Sequence, residues 1–346
     1  MIANFDIHGC QIRVRCLDED LLAQVRRDYA WFATDLSGER PSHQIELVVA
    51  PPPFDALPPV RAAFTTPRNV CYRDGARNYI DFFGRALAVL DRDQGECTVH
   101  GTNPGLLHEI AYLHILSVAG QHLDARGLHR IHALAGSYRG RGMILMLPSG
   151  GGKSTMALGL LGNPNFRLLA EDTPLVDREA TILPFPLRIG VRPGDPTSVP
   201  ERYTRTLRRM EFDPKTVIDI DFFRDRIGAA TPAAYLFAGQ RSLGMVSEIH
   251  PMSRAAALRA LINHMVIGLG VYQGLEFMLE RGAVELLGKG GVVASRLRSA
   301  WSLVNRSRPY LFVMGRDPGK NCQTLAAFLD GETAPGSDAG RGVVPG

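Results

Sequence analysis

The strongest constraint in the sequence is a junction between two apolar segments at residues 143–161. The run MILMLP (143–148) leads directly into SGGGKST (149–155), and KSTMALGLL (153–161) continues with helical character. A buried strand, a glycine turn and a helix in immediate succession form the context that a phosphate-binding loop requires. The order therefore predicts an α/β unit with this loop at the end of a strand.

The loop carries the residue types that bind a nucleoside triphosphate. Its glycines permit backbone angles closed to other residues and let main-chain amides converge on an anion, and the helix start adds its own unsatisfied amides. Lys153 would reach the β- and γ-phosphates, while the Ser154 hydroxyl would ligate Mg²⁺. We therefore predict ATP and Mg²⁺ as ligands. The predicted nucleotide-binding residues are Ser149, Gly150, Gly151, Gly152, Lys153, Ser154 and Thr155.

One position departs from the usual pattern of glycine, four free positions and Gly-Lys-Ser/Thr. Leu147 stands where the first glycine is expected, and Pro148 follows it with a preset backbone angle. The alternative interpretation is a glycine-rich connection that happens to precede a lysine. The apolar strand before the loop and the apolar helix after it favour phosphate binding.

Two adjacent carboxylates follow the next apolar strand, at the end of RLLAED (167–172). Glu171 and Asp172 would hold Mg²⁺ and accept a proton from an attacking hydroxyl, so we predict Glu171 with Ser154 as metal ligands and Asp172 as the base. The alternative is a solvated turn. His132 is predicted on a strand before the loop, where a single histidine is more often a core residue.

Residues 1 to about 100 predict a small α+β region. The alternating segments 11–17 and 43–49 indicate half-buried strands, and apolar residues at helical spacing indicate a helix over 21–32. A hairpin is expected to turn at Gly84, with 96–101 as an edge strand.

A longer helix is predicted from the cap Asn103 and Pro104 to about Asp124. Its histidines are six and eight residues apart and do not share one close-set face, so they do not predict a metal site. These histidines are His108, His114 and His122.

Beyond the carboxylates, the sequence predicts a continued sheet over 181–191 and strands in 216–223, 233–239 and 309–315. Helices are predicted over 253–266, 292–307 and 321–330. The arginine-rich stretch 194–215 is either an anion-binding or a solvated loop. Its arginines are Arg202, Arg205, Arg208 and Arg209. Arg188 and Arg192 would neutralise phosphate charge in a transition state, and their alternative is ordinary surface arginine.

The composition narrows the class of protein. The chain has 346 residues, 45% of them apolar and 21% charged, and a net charge of only +4. This balance predicts neither a nucleic-acid nor a membrane partner, and the five scattered cysteines predict reduced thiols rather than a zinc site. With no signal-like start and no apolar run of spanning length, we expect a cytoplasmic protein.

Three motifs together resemble a known family. IHALAG with His132, then GGGKST, then RLLAED are similar to the catalytic core of HPr kinase/phosphorylase, which shows a strand histidine, a GxxGxGKS-type loop and RLVADD. The resemblance covers roughly 130–195. It implies an α/β fold with a phosphoenolpyruvate-carboxykinase-like P-loop kinase core, preceded here by a smaller α+β N-terminal domain. The expected domains are 1–125, for substrate binding or oligomerisation, a kinase domain over 126–330, and a disordered tail over 331–346.

The resemblance also implies roles for individual residues. Lys153 and Ser154 match the phosphate and Mg²⁺ contacts, and Asp172 matches the carboxylate that activates an acceptor serine. Glu171 matches its acidic neighbour, and His132 the active-site histidine. Leu147 and Glu171 depart from the family pattern, and the family's second signature is not found, so the reverse reaction and HPr as substrate are not predicted.

We therefore expect an ATP-dependent serine kinase, with Asp172, His132 and Arg192 as catalytic residues. The N-terminal half resembles HPr-kinase-like proteins found beside ribosomally made peptides, including lasso-peptide tailoring kinases. This implies a peptide or small protein as acceptor, and homo-oligomerisation is left open. The alternatives are a small-molecule kinase of the same fold and a nucleotide-sensing protein without turnover.

Overall fold

The structure, a computed structural model, describes residues 1–36, 40–148, 150–191, 199–207, 214–266 and 290–333. Within these residues the chain forms two compact units. The first comprises Met1–Arg126 and Leu187–Arg224, and the second comprises Gly127–Pro186 and the described residues from Asp225 onward. We expected everything from 126 to 330 to form one domain, but the described residues between Leu187 and Arg224 belong to the same unit as the N-terminal residues.

The described residues contain twenty strands and six helices, a mixed α/β composition. The strands are β1 (Ile2–Ile7), β2 (Cys10–Cys16), β3 (His43–Val49), β4 (Ala62–Thr65), β5 (Val70–Asp74), β6 (Arg77–Asp81), β7 (Ala86–Asp91), β8 (Glu96–Gly101), β9 (His129–Arg130), β10 (Ala133–Tyr138), β11 (Arg141–Met146), β12 (Phe166–Ala170), β13 (Leu175–Val176), β14 (Thr181–Leu183), β15 (Ile189–Val191), β16 (Thr204–Leu207), β17 (Lys215–Ile218), β18 (Thr231–Arg241), β19 (Glu248–Pro251) and β20 (Arg308–Met314). The helices are α1 (Glu19–Asp28), α2 (Pro104–Ala125), α3 (Lys153–Leu161), α4 (Arg254–Leu261), α5 (Gly290–Arg306) and α6 (Pro318–Thr333).

The first unit contains an eight-stranded sheet in the order β1-β2-β3-β8-β7-β6-β5-β4. The predicted hairpin turn is present, with Gly84 at φ 75° between β6 and β7. The expectation that 96–101 is an edge strand is wrong, because β8 pairs with β3 on one side and β7 on the other. Alternation of buried and exposed residues is the same in an edge strand and an inner one, so the pattern does not reveal the position.

Both helices of the first unit begin at a side-chain cap, and only the cap of α2 was predicted from the sequence. The Asp18 carboxylate accepts from Leu21 N–H at the start of α1, and the Asn103 side chain accepts from Leu106 N–H at the start of α2. Proline 104 occupies the first position of α2, where no amide donor is needed. The start of α2 is therefore as predicted, whereas α1 spans Glu19–Asp28 instead of the predicted 21–32.

The predicted continuation of the sheet over 181–191 is only partly correct. Residues 181–183 form β14 in the second unit, whereas β15 belongs to a separate three-stranded sheet of the first unit in the order β15-β17-β16. Pro184 and Pro186 lie between the two strands. Proline lacks the amide donor of a ladder, which explains why one continuous strand is not formed.

The second unit is built on a sheet in which β12, β10, β11, β18, β20 and β19 are successive neighbours. Strands β11, β18 and β20 are parallel, and β10 runs antiparallel to both β11 and β12. The end of β11, the end of β12 and the start of β10 therefore meet at one edge of the sheet. This edge is where the predicted site residues lie.

The helices of the second unit follow the predicted segments. Helix α4 continues into a π-helical turn over Ile262–Val266, and α4 and α5 pack in the same buried cluster as residues of β10, β11 and β18. Helix α6 runs to Thr333, and the predicted tail beyond it lies outside the described residues. Among the described helices, none is long and apolar enough to cross a membrane.

Candidate functional site

Three chain segments converge at the edge formed by β10, β11 and β12. The glycine loop follows β11, Glu171 and Asp172 follow β12, and His132 immediately precedes β10. The Ala133 N–H donates to the Asp172 carbonyl at 3.0 Å, which joins two of these segments directly. His132 was predicted on a strand and instead lies in the bend before β10, so its side chain stands at the edge rather than along the sheet face.

The loop adopts the left-handed backbone that its glycines allow. Gly150 and Gly152 have φ angles of 72° and 103°, and Gly152 is the residue that caps α3. Gly151 N–H donates to the Pro148 carbonyl at 2.9 Å, and a Cβ at Gly151 would lie 2.8 Å from that oxygen. The amides in the first turn of α3 have no acceptor within the helix. They can therefore donate to an anion that binds at the loop.

Two predicted site residues cannot be placed. Ser149, in the loop, and Arg192, beyond β15, lie outside the described residues. The same applies to Arg208 and Arg209 of the arginine-rich stretch.

Lys153 is the centre of the site, and only 6% of its surface is exposed. Its Nζ lies 2.9 Å from His132 Nε2, 3.2 Å from the Leu147 carbonyl oxygen and 3.5 Å from Asp172 Oδ1. An ammonium is stable in such a buried position only when acceptors surround it. The structure therefore brings Lys153, His132 and Asp172 together, as the sequence predicted.

The contact with Lys153 determines how His132 carries its proton. Burial lowers the pKa of His132; the charge of Asp172 opposes this, and that of Lys153 adds to it. Because the lysine ammonium can only donate, Nε2 of the neutral ring is the acceptor and the proton is on Nδ1. His132 Nδ1 lies 3.3 Å from Asp172 Oδ1, outside hydrogen-bond geometry. Asp172 keeps 46% of its side chain exposed, so this carboxylate is open to an incoming molecule.

Ser154 and Glu171 form a second pair at the same edge. The Ser154 hydroxyl donates to Glu171 Oε1 at 2.6 Å. Across the described residues, no group of three or more His, Cys, Asp or Glu side chains is arranged to hold a metal ion. This is compatible with Mg²⁺, which binds through one or two carboxylates together with substrate phosphates and water. A hydroxyl and a carboxylate in contact beside the loop fit that requirement.

Sequence reasoning missed one residue of this site, His264. Its ring stacks on His132 with centroids 6.1 Å apart and an interplanar angle of 9°, and its carbonyl accepts from the His132 N–H at 3.0 Å. Burial, followed by the charges of His132 and Lys153, lowers the pKa of His264. The residue lies on the π-helical turn after α4, a feature that occurs frequently at functional sites. The only sequence signal was a histidine near a helix end.

Two arginines that were candidates for phosphate contacts bind elsewhere. The guanidinium groups of Arg188 and Arg205 both pair with the buried carboxylate of Asp28 in the first unit. Arg205 also binds Asp219 at 2.9 Å, and the Arg188 guanidinium lies 3.8 Å from the ring centre of Tyr112. These contacts give both arginines a structural role.

Comparison of the chain with protein-family models and with curated protein sequences found no match.

Proposed function

We propose that the protein is an ATP-dependent serine kinase that phosphorylates a peptide or small protein. The observation that carries the proposal is the convergence of Lys153, Asp172 and His132 within 3.5 Å at the end of a glycine loop. The proposed fold of the second unit is a phosphoenolpyruvate-carboxykinase-like P-loop kinase core. Support for it comes from the antiparallel β10 between β11 and β12 and from the three motifs quoted above.

The loop and the start of α3 would hold the triphosphate. Main-chain amides around Gly150 to Gly152 and the Lys153 ammonium are the donors, and Ser154 with Glu171 would hold Mg²⁺. The metal ion, when bound, neutralises charge on the phosphate oxygens. In such transfers the protein contributes mainly positioning and electrostatic stabilisation, because little covalent chemistry is required of it.

Asp172 would orient the acceptor hydroxyl and accept its proton. It is the most exposed of the three converging side chains, while Lys153 and His132 are each about nine-tenths or more buried. Lys153 and His132 both approach the same oxygen, Oδ1, at 3.5 and 3.3 Å. A carboxylate that lies beside Lys153 and His132 but stays open to solvent is suited to an incoming hydroxyl.

The peptide acceptor is favoured over a small molecule by the first unit. Its eight-stranded sheet ends in β1 and β4, and three of the four residues of β4 are exposed. A sheet edge of this kind can pair with an extended peptide through main-chain hydrogen bonds. Phosphate chemistry alone does not require such a sheet.

Nucleotide binding is tested first, by thermal unfolding. Millimolar ATP with Mg²⁺ is expected to raise the melting temperature, because a ligand that binds only the folded state stabilises it. Chelation of Mg²⁺ should remove most of the increase, and Lys153→Ala should abolish it or reduce it strongly. Lys320→Ala, at an exposed lysine of the second unit outside the loop, is the matched control and should leave the shift unchanged. The absence of a shift with any nucleoside triphosphate would contradict the proposal.

Phosphate transfer is tested by mass spectrometry. The protein is incubated with ATP, Mg²⁺ and a panel of serine-containing peptides, each paired with the same peptide carrying alanine at the serine. A phosphate added to a serine peptide and not to its alanine counterpart supports the proposal. Transfer to small alcohols or sugars alone would favour the small-molecule kinase. Nucleotide binding without any transfer would favour the nucleotide-sensing protein.

A further inference from the structure

Three large apolar side chains stand exposed in the connection between β18 and β19 of the second unit. They are Leu243, Met245 and Val246, below called the apolar segment, and their exposed fractions are 90%, 54% and 68%. Single exposed apolar residues are ordinary on a protein surface, whereas a contiguous group of them marks a contact with another molecule more often. The apolar segment is therefore a candidate binding surface.

The backbone of the apolar segment is tied to the end of β20. The Ser242 N–H donates to the Met314 carbonyl at 2.8 Å, and the Arg316 N–H donates to the Gly244 carbonyl at 2.9 Å. These two hydrogen bonds lie on either side of Leu243 in the chain. The apolar side chains are thus presented from a hydrogen-bonded main chain.

The strand that leads into the apolar segment runs directly beside the strand that leads into the glycine loop. Ala238 of β18 pairs with Met146, the last residue of β11, and a Cβ at Gly239 would lie 2.2 Å from the Leu147 side chain. Strand β18 continues to Arg241, about 10 Å beyond Ala238 at the usual rise of a strand. Because β11 and β18 are parallel, the glycine loop and the apolar segment leave the sheet at the same end.

The position of Asp172 indicates which way a nucleotide bound at the loop would point. Asp172 and His132 border β12 and β10, on one side of β11, whereas the apolar segment follows β18, on the other side. For in-line transfer the γ-phosphate has to face the acceptor hydroxyl at Asp172. The base is at the opposite end of the nucleotide, and it would therefore point toward β18 and the apolar segment.

We propose that the apolar segment binds the base of the nucleotide, an inference that rests on the proposed kinase function. Leu243 and Val246 carry no hydrogen-bonding group and the Met245 sulfur is only a weak acceptor, so these side chains would cover the flat face of the base. A purine has a larger apolar face to remove from water than a pyrimidine, so the expected ligand is a purine nucleoside triphosphate.

Two arginines next to the apolar segment suit the same ligand. Arg241 precedes the segment, Arg316 donates its N–H to the segment's backbone, and both residues are exposed. A guanidinium group stacks on aromatic rings and also attracts phosphate oxygens. The combination of apolar and guanidinium groups matches a ligand that has both a base and phosphates.

The test compares ATP with inorganic tripolyphosphate, which has the phosphates but no base. Isothermal titration calorimetry of the full chain in the presence of Mg²⁺ measures both affinities. The double variant Leu243→Ser/Met245→Ser is expected to weaken ATP binding at least about tenfold, because the packing of the base is lost, and to leave tripolyphosphate binding unchanged. Both side chains are exposed, so the variant should fold as the unmodified chain does.

Leu297→Ser is the matched control, because Leu297 is an exposed leucine on α5 of the same unit. It should leave both affinities unchanged. A loss confined to ATP in the double variant, and absent from the control, supports the base site. Unchanged ATP affinity in the double variant overturns the base site but leaves the proposed nucleotide binding in place. Failure of the unmodified chain to bind either ligand overturns the kinase proposal and this inference together.

Two further results would also overturn the base site. Equal losses of ATP and tripolyphosphate would mean that the substitutions disturb the glycine loop and not a base contact. Unchanged ATP affinity with a lower sedimentation coefficient would instead make the apolar segment a contact between two copies of this chain.

Discussion

The two units each contain a carboxylate held by a histidine and by basic side chains, but the two groups are constrained very differently. In the first unit, Asp28 is fully buried, and its two oxygens are occupied by Arg188, Arg205 and His108. In the second unit, Asp172 is nearly half exposed, and its contacts with Lys153 and His132 are 3.3 Å or longer.

The difference shows that residue types alone do not identify a catalytic group. Asp28 has a histidine at 2.8 Å and two arginines, a combination typical of an active site. Its carboxylate is nevertheless fully buried, and these partners all belong to the same unit. It joins α1 and α2 to the segment 187–224. Asp172 combines exposure with loose contacts and lies beside left-handed glycines, and these features together suit chemistry on an incoming molecule.

The largest effect is expected from Asp28→Ala, on stability. Removing the carboxylate takes away the shared ionic partner of two buried guanidinium groups, which costs about 3–5 kcal/mol in the free energy of unfolding. Urea unfolding followed by circular dichroism measures the change. Asp93→Ala, at an exposed acidic residue in the same unit, is the control and should change stability by less than about 0.5 kcal/mol. A loss below about 1 kcal/mol for Asp28→Ala would mean that the group does not join the segments.

Asp172→Asn is expected to show the reverse pattern, with a large effect on turnover and a small one on stability. Loss of a general base lowers phosphate transfer by roughly 10²-fold or more. ATP affinity should be retained, because the amide keeps the shape of the side chain. Single-turnover transfer and ATP titration separate the two effects. An equal loss of binding and turnover would make Asp172 mainly a metal ligand, and normal turnover would remove it from the mechanism.

A smaller effect is expected at His264, which we infer to position His132 by stacking. His264→Ala should lower kcat by roughly tenfold with little change in the KM for ATP, the pattern for a group that acts on the transition state alone. His264→Phe keeps a flat ring on His132 and should recover most of the activity. If His264→Phe is as impaired as His264→Ala, the imidazole nitrogens matter instead of the stacking.

The smallest effect concerns pH and the histidine beside Asp28. Burial, with the charge of Arg205, lowers the pKa of His108 to about 4, and the charge of Asp28 is offset by its two arginines. The unfolded chain binds the proton near pH 6.5 and the folded one does not, so stability present above pH 6.5 is lost as pH falls toward 4. We expect the melting temperature to fall by a few degrees over this range.

His108→Gln should reduce this pH dependence, because glutamine does not titrate. His250→Gln, at an exposed histidine of the second unit, is the control and should leave the dependence unchanged. Differential scanning calorimetry between pH 7.5 and pH 4.5 gives both slopes. Equal slopes for His108→Gln and the unmodified chain would show that folding does not lower the pKa of His108.

Sequence reasoning succeeded wherever the signal is contained in a few neighbouring residues. The predicted strand at 43–49 and the helix at 153–161 match β3 and α3 residue for residue. Asn103 caps α2 as expected because its side chain reaches an amide only three residues away. For the site, the sequence placed residues from three motifs together, and the structure has them side by side. Each motif directly borders one of three neighbouring strands, at the end of the sheet where these strands meet.

The errors concern partners that are far apart in the chain. The inner position of β8 depends on pairing with β3. Arg188 was predicted as a phosphate contact or a surface arginine, and neither is its role, because its partner Asp28 lies 160 residues away. His264 escaped notice for the same reason, as it reaches His132 only when α4 packs against the sheet. Alternating hydrophobicity shows that a segment pairs as a strand, but not with which strand. Charge shows that a buried side chain needs an ionic partner, but not which residue provides it.

The sequence by itself determined the elements of this protein: the glycine loop between a strand and a helix, the caps, and the acidic pair after β12. Those features follow from backbone angles and hydrogen bonds that act within one or two turns. Only the tertiary structure decided that the Asp28 carboxylate is fully buried and that the Asp172 carboxylate is partly exposed. The burial of a charge depends on the sheets and segments that surround it, because desolvation is set by neighbours in space rather than along the chain.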